Sequence, residues 1–210
     1  MIDLHILHHP PSTRPAWWAA CLASAFAAER HGVTVFLVED PGASIGAARA
    51  RAYQLGVAPY VACLDNDDVL LPDALPALLE ALEANPEVCG VCSHRQQIDA
   101  AGAVLFDLRR PPWTAVNQLC QADYPHQLAI YRRAAVEPHL AAAAEFPEYC
   151  DFVLAGLATH YGPWRTVPVT AYQRREQPYY VAHRRPIPLG LLRRARALVA
   201  PALLSHLNPR

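Results

Sequence analysis

Lysine is absent from this sequence of 210 residues, so all 18 side chains counted as lysine or arginine are arginines. The absence excludes mechanisms that need an amine side chain, such as those using a P-loop lysine or the Schiff-base lysine of pyridoxal-phosphate enzymes. A basic surplus is also lacking, because the formal net charge is only −1. Proteins that bind nucleic acid usually carry such a surplus to meet the phosphates. We therefore expect no nucleic-acid partner.

Long apolar runs and a regular cysteine framework are missing as well. The sequence contains no stretch of about 20 apolar residues, so it predicts no transmembrane helix. The six cysteines are irregularly spaced, and the chain passes from Met1 directly into a strand pattern without the features of a signal peptide. These features predict a cytoplasmic protein, either free or peripheral at the inner face of the membrane.

The chain does contain enough apolar material for one sizeable core, since 53% of its residues are hydrophobic. Apolar strand patterns begin at Ile2, Val33, Tyr60 and Val88. Helical patterns separate these strands, and such alternation is typical of an α/β fold with a mostly parallel central sheet flanked by helices. Ligands of open sheets of this type bind at the carboxyl ends of the strands.

An acidic motif, Asp65-Asn66-Asp67-Asp68, directly follows the predicted strand from Tyr60 to Leu64. Three carboxylates within four residues repel one another, and a divalent cation such as Mn²⁺ or Mg²⁺ is a natural counter-charge because it prefers oxygen ligands. A solvated acidic turn that caps the helix beginning near Pro72 is the alternative. For an isolated Asp-x-Asp this alternative is favoured, because short motifs match by chance.

The surroundings of this motif resemble the core signature of family 2 glycosyltransferases. That signature combines an Ala-Arg-Asn helix, a short gap, an apolar strand, Leu-Asp-x-Asp-Asp and Pro-Asp. The matching segments here are Ala48 to Tyr53, Ala58 to Leu75, Asn85-Pro86-Glu87, Ile98-Asp99-x-x-Gly102 and Tyr131-Arg132-Arg133. The resemblance is densest over residues 33–105 and continues to about residue 175. It implies a single domain with the GT-A, Rossmann-like fold.

The resemblance also implies roles for individual residues. Asp65 and Asp67 would hold the metal and the ribose-diphosphate part of a nucleotide-sugar, with Asp67 the direct ligand and Asp68 an accessory one. Arg49 matches the arginine that lies beside the acidic motif, although Ala50 replaces the amide that follows it in the family. Asp40 resembles the acid that meets the nucleoside base or ribose. An ordinary turn aspartate before Pro-Gly explains Asp40 equally well.

The catalytic base is less directly indicated. The family uses the aspartate of a Glu-Asp pair at the start of a late helix, and Tyr149 occupies that position here. Tyr149 has no carboxylate, so Glu148 or Asp151 would deprotonate the acceptor hydroxyl. Both acids would also suit the positive end of a helix dipole without any catalytic role.

The implied activity is metal-dependent transfer of a sugar from a UDP- or GDP-sugar to a hydroxyl acceptor, with inversion at the anomeric carbon. The acceptor would be a saccharide, a lipid-linked molecule or a small molecule, as in polysaccharide biosynthesis. An inactive GT-A-like module that binds a nucleotide or a partner protein is the alternative. Tyr149 and the short loop Pro41 to Ile45 favour this alternative, because the family usually has another strand and helix at that loop.

The predicted glycosyltransferase domain covers residues 1–183. Residues 1–100 would form the half that binds the nucleotide-sugar, and residues 101–183 would form the acceptor half. Residues 184–210 form a basic amphipathic tail. Its leucines and arginines would suit an anionic membrane surface, a second subunit in a homo-oligomer, or its own domain.

Overall fold

A computed structural model of the protein describes residues 1–8, 14–39, 44–125, 127–176 and 188–207. The strands are β1 (Ile2–His8), β2 (Val33–Glu39), β3 (Tyr60–Asp65), β4 (Val69–Leu70), β5 (Gly90–Ile98), β6 (Val104–Leu108), β7 (Ala129–Arg132) and β8 (Trp164–Arg175). The α-helices are α1 (Pro15–Ala27), α2 (Ile45–Tyr53), α3 (Leu75–Glu83), α4 (Ala115–Cys120), α5 (Arg133–Val136), α6 (Leu140–Ala144), α7 (Cys150–Leu157) and α8 (Leu189–Leu204).

The strands form one sheet in the order β2-β1-β3-β7-β5-β8-β4, and β6 pairs with β5 outside this path. Helices flank the sheet on both sides, so the predicted α/β architecture is confirmed. The sheet is mixed, however, and the expectation of mostly parallel strands needs correction. Only β1–β2, β1–β3 and β5–β8 pair in parallel among the described strands. β7 lies antiparallel between β3 and β5.

The parallel strands β1, β2 and β3 place their carboxyl ends at one edge of the sheet. His8 is paired with Glu39, and Leu7 is paired with Asp65. The acidic motif therefore begins at this edge of the sheet, as the alternation of strands and helices predicts. Asp40, which follows Glu39, lies outside the described residues.

Each face of the sheet has its own apolar cluster. Ile2, Leu4 and Ile6 of β1 pack with residues of α1 and α3 on one face. Val61 and Cys63 of β3 pack on the other face with residues of α2, α6, α7 and α8. Alternate residues of a strand point to opposite faces, so a strand buried on both sides reads as a continuous apolar run.

Arg132 and Arg133, which belong to the family-like pattern, have structural roles away from the acidic motif. Arg133 forms a buried ion pair with Asp3 at 2.6 Å and also donates to the carbonyl of Ala58. Arg132 donates to the carbonyl of Val88 at 2.8 Å. Both guanidinium groups therefore join β7 to neighbouring segments of the sheet.

Helix α8 packs on α7 and α4, although the sequence suggests an interruption at Pro201. The helix continues through Pro201 and ends at Leu204. Its inner face buries Leu192, Ala195, Val199, Ala202 and Leu203. The outer face carries Arg193, Arg194 and Leu198, and the predicted boundary between residues 183 and 184 lies outside the described residues. No helix among the described residues is long and apolar enough to cross a membrane.

The contact between α7 and α8 depends on the missing side chain of Gly156. A Cβ atom at this position would lie 2.6 Å from Cβ of the buried Val199. We expect Gly156→Ala to destabilise the fold by about 1–3 kcal/mol, because overpacking outweighs the gain of about 1 kcal/mol in helix propensity. Gly190→Ala is the matched control, since a Cβ there meets no atom within 4 Å. The measurement is the free energy of unfolding in urea. Equal values for both variants and the wild type would contradict the packing argument.

Candidate active site

The acidic motif forms a tight turn between β3 and β4. The backbone N–H of Asp68 donates to the carbonyl of Asp65 at 3.1 Å, which closes the turn. The side chain of Asp65 is about one third exposed (34%), and Asp67 is half-buried. Asp68 is buried, with only 3% of its surface exposed. The three carboxylates therefore do not share one exposed surface.

Arg49 connects this turn to helix α7. Its side chain is only 8% exposed and donates to Oδ1 of Asp65 at 2.9 Å. The same guanidinium forms a second ion pair with Asp151, which lies in the first turn of α7. Helix α2 holds Arg49 in this position because the hydroxyl of Ser44 accepts from the backbone N–H of Ala47 and caps the helix. The structure thus brings together three of the residues that the sequence singles out, Arg49, Asp65 and Asp151.

Gln127 occupies the other oxygen of Asp65. This residue lies in the loop before β7, is buried, and donates from Nε2 to Oδ2 of Asp65. Its Oε1 atom has no hydrogen-bond partner among the described residues. Gln127 cannot be singled out from the sequence, because an isolated glutamine in a loop carries no local motif. Asp65 is therefore oriented by an arginine on one side and an amide on the other.

Asp68 faces inward toward β8. Its carboxylate accepts from the hydroxyl of Tyr172 at 2.7 Å and from the backbone N–H of Arg175 at 2.7 Å. Burial and the charges of Asp65 and Asp67 raise the pKa of the Asp68 carboxyl well above its usual range. Tyr172 and the backbone N–H of Arg175 therefore occupy the oxygens of Asp68.

Arg175 also contacts the acidic turn. The Arg175 guanidinium is buried and donates to the carbonyls of Asp67 at 2.9 Å and Asp99 at 3.0 Å. It also lies over the ring of Trp17, with its Cζ atom 5.3 Å from the ring centroid. Arg175 thus fixes the backbone of the acidic turn, whereas Arg174 is exposed.

The two candidate bases have different environments. Asp151 is one quarter exposed (25%) and is paired with Arg49, whereas Glu148 lies exposed on the preceding segment. Between them, Tyr149 takes the position of the family's aspartate and adopts a left-handed conformation with φ of 65°. A left-handed non-glycine residue costs on the order of 1–3 kcal/mol and is held there by its surroundings. The turn at Tyr149 starts α7 and so sets the position of Asp151.

A cleft of about 280 Å³ opens beside this group of side chains. It is lined by Arg49, Tyr53, Cys63, Pro125, Gln127, Ala129, Tyr131 and Asp151. Burial raises the pKa of the Cys63 thiol to about 12, so the thiol stays protonated and is unsuited to nucleophilic chemistry. Arg49 and Asp151 are the charged residues of the lining, and Glu148 does not contribute to it.

A metal centre built from protein side chains alone is not found in the described part of the chain. No group of three or more histidine, cysteine, aspartate or glutamate side chains there could hold a metal ion. The acidic turn still fits Mg²⁺ or Mn²⁺, because in nucleotide enzymes one or two carboxylates and the substrate phosphates share the ion. Asp67 would supply a carboxylate of this kind, whereas Arg49 and Gln127 already donate to the two oxygens of Asp65 beside it.

Comparison with solved structures shows the fold. S. aureus TarS residues 1–349 in complex with UDP-GlcNAc matches with a TM-score of 0.67 and 12% identity, covering 98% of this chain and 67% of that one. The same protein in complex with UDP matches with a TM-score of 0.64 and 13% identity, covering 99% of this chain and 70% of that one. These matches confirm the GT-A fold. No curated protein matches the chain in sequence.

The sequence also matches a family model, "Glycosyl transferase family 2", over residues 20–137. This segment is more than half of the chain and contains Arg49 and the whole acidic turn. The resemblance drawn from the motifs is thereby confirmed, and it supports a nucleotide-sugar glycosyltransferase. The chain belongs to glycosyl transferase family 2.

Proposed function

We propose that this protein is a metal-dependent glycosyltransferase that moves a sugar from a UDP-sugar to an acceptor hydroxyl, with inversion at the anomeric carbon. The observation that carries the proposal is the chain of ion pairs Asp65–Arg49–Asp151, which joins the acidic turn to the cleft. The chain belongs to a family of glycosyl transferases, and an acidic turn at the carboxyl end of a parallel strand is where an α/β sheet binds its ligand.

A uridine nucleotide is the donor that the comparisons favour. The similar structures of TarS are complexes with UDP-GlcNAc and UDP. In this chain the donor would bind along the carboxyl ends of β1, β2 and β3, within residues 1–100. Residues 101–183, which include β7 and Asp151, would receive the acceptor. GDP-sugars remain in the test below because both nucleotides suit the acidic motif.

Asp67 would hold the divalent cation together with the donor diphosphate, and Asp65 would lie beside it. When bound, the cation neutralises the charge that develops on the leaving nucleoside diphosphate. Arg49 and Gln127 fix both oxygens of Asp65, so its side chain is already oriented before the donor arrives. Such preorganisation removes the cost of reorienting the carboxylate during the reaction.

Asp151 is our proposed base rather than Glu148, and its position in the lining of the cleft, to which Glu148 does not contribute, supports this choice. Asp151 would accept the proton of the acceptor hydroxyl as the acceptor oxygen bonds to the anomeric carbon. The bond from that carbon to the diphosphate oxygen breaks on the opposite side, which inverts the configuration. Arg49 would orient Asp151 through their ion pair.

An inactive nucleotide-binding module is the second candidate. Tyr149 supports it, because a tyrosine replaces the carboxylate that the family uses as base. In that case the donor would bind at the same acidic turn without being consumed. Hydrolysis of the donor separates the two candidates, since slow transfer to water needs the catalytic groups whereas binding does not.

Thermal unfolding with a panel of UDP, GDP and their sugars, each with and without Mn²⁺, tests the proposed function. We expect UDP and one UDP-sugar to raise the Tm only when Mn²⁺ is present, because a ligand stabilises the folded state that binds it. We also expect Mn²⁺-dependent release of UDP from that sugar nucleotide. Binding without release would favour the inactive module. No shift with any nucleotide would overturn both candidates.

A further inference from the structure

Two arginines outside the acidic turn are buried without adequate counter-charges. Arg95 lies on β5, and Arg110 follows β6 in the chain. Their side chains are only 8% and 3% exposed. Nε and Nη1 of Arg95 and Nε of Arg110 have no hydrogen-bond partner among the described residues. Buried donors of a charged group are costly when unpaired, so this pair indicates a missing acceptor.

The carboxylate paired with both arginines does not satisfy them. Oδ2 of Asp123 lies 3.6 Å from Nη2 of Arg95 and 3.7 Å from Nη2 of Arg110, which is beyond normal hydrogen-bond length. The Asp123 side chain is also 55% exposed. Burial and the positive charges of Arg110 and Arg174 lower the pKa of Arg95 to about 10. Positive charge therefore exceeds negative charge at this position.

The pair is linked to the candidate active site through β8 and through the segment that follows Asp123. Arg95 is paired across the sheet with Tyr172, whose hydroxyl donates to Asp68 of the acidic turn. Asp123 begins the short loop that leads to Gln127, which donates to Asp65. One strand pair and one loop thus connect the arginines to the proposed donor carboxylates.

We propose that Arg95 and Arg110 bind an oxyanion, a phosphate or carboxylate, carried by the acceptor. Two guanidinium groups suit such an anion because each presents parallel N–H donors to its oxygens. The anion would supply the acceptors that the buried donors lack, and it would hold the acceptor with its hydroxyl toward the cleft. This inference rests on the proposed function, since it assigns the acceptor of the same reaction. The donor diphosphate is the other possible source of the anion.

Inorganic phosphate is the probe for the site. The Tm of the full chain is measured while sodium phosphate replaces sodium chloride at constant ionic strength. We expect phosphate to raise the Tm of the wild type and of Arg109→Gln, an exposed neighbour that serves as the control. In Arg95→Gln and in Arg110→Gln the phosphate concentration for half of the shift should rise by about tenfold or more, equivalent to about 1.4 kcal/mol. Both variants should fold without phosphate, because each loses an unpaired buried charge.

Binding of UDP with Mn²⁺ by the same variants identifies the source of the anion. Unchanged UDP binding in Arg95→Gln and Arg110→Gln, together with the lost phosphate response, supports the acceptor site. A parallel loss of UDP binding would assign the arginines to the donor diphosphate and overturn the acceptor site. Absence of a phosphate shift in the wild type would overturn the anion site itself. Failure of the wild type to bind any nucleotide is a separate result, which overturns the proposed function and the acceptor assignment together.

Discussion

Asp67→Asn is expected to remove the Mn²⁺-dependent stabilisation by UDP and to lower the rate of sugar transfer by at least about 100-fold. The amide keeps the shape of the side chain and removes the charge that would hold the cation. Asp68 is not expected to compensate, because Tyr172 and the backbone of Arg175 occupy its carboxylate. The measurement is the Tm with UDP and Mn²⁺, followed by turnover of the donor.

Asp73→Asn is the matched control for this substitution. Asp73 lies close in the sequence, but its side chain is 84% exposed and forms an ion pair with Arg30 outside the acidic turn. Exposed ion pairs contribute on the order of 0–1 kcal/mol, so this variant should bind UDP as the wild type does. If Asp67→Asn bound UDP with unchanged dependence on Mn²⁺, the metal assignment would be wrong.

Asp151→Asn is expected to lower kcat by about 10²- to 10⁴-fold, the usual contribution of a general base. Binding of UDP with Mn²⁺ should persist, because Arg49 keeps its ion pair with Asp65. Glu148→Gln should retain nearly the full rate, because Glu148 is exposed and does not line the cleft. The two variants therefore decide between the carboxylates that the sequence leaves open.

Three other results for Asp151→Asn and Glu148→Gln would each contradict the assignment of Asp151 as the base. A large loss in Glu148→Gln with full activity in Asp151→Asn would reverse the assignment of the base. Loss of both UDP binding and turnover in Asp151→Asn would make Asp151 a positioning residue that acts through Arg49. Equal, unaffected rates in both variants would exclude both residues as the base. Single-turnover measurements with saturating donor separate these effects from changes in binding.

The first half of the fold follows closely from local patterns. Continuous apolar runs at Ile2, Val33 and Tyr60 predict strands buried on both faces, and β1, β2 and β3 begin at these residues. The prediction of burial is wrong for β2, which lies at the edge of the sheet and is mostly half-buried or exposed. The acidic turn lies at the carboxyl end of β3 because it directly follows that strand. The family resemblance added the proximity of Arg49 to Asp65, which are only 16 positions apart.

The second half is less predictable because its pairings join distant segments. The position of β7 between β3 and β5, antiparallel to both, has no local signal in the sequence. The continuation of α8 through Pro201 also has no local signal, because a proline usually ends a helix. Burial of the inner face of α8 against α7 and α4 maintains that helix, and such packing is not visible in a local window.

Motifs that are close together in the sequence are enough to predict the family and the acidic turn, and the family resemblance adds the proximity of Arg49 to that turn. Which carboxylates face outward depends instead on contacts between distant segments. Tyr172 and Arg175 lie 104 and 107 positions beyond Asp68, yet they occupy its oxygens, and Gln127 reaches Asp65 across 62 positions. The buried arginines Arg95 and Arg110 likewise read as ordinary charged residues in the sequence. Their unpaired donor atoms become apparent only when the sheet and the loop at Asp123 enclose them, because burial is a property of the whole fold.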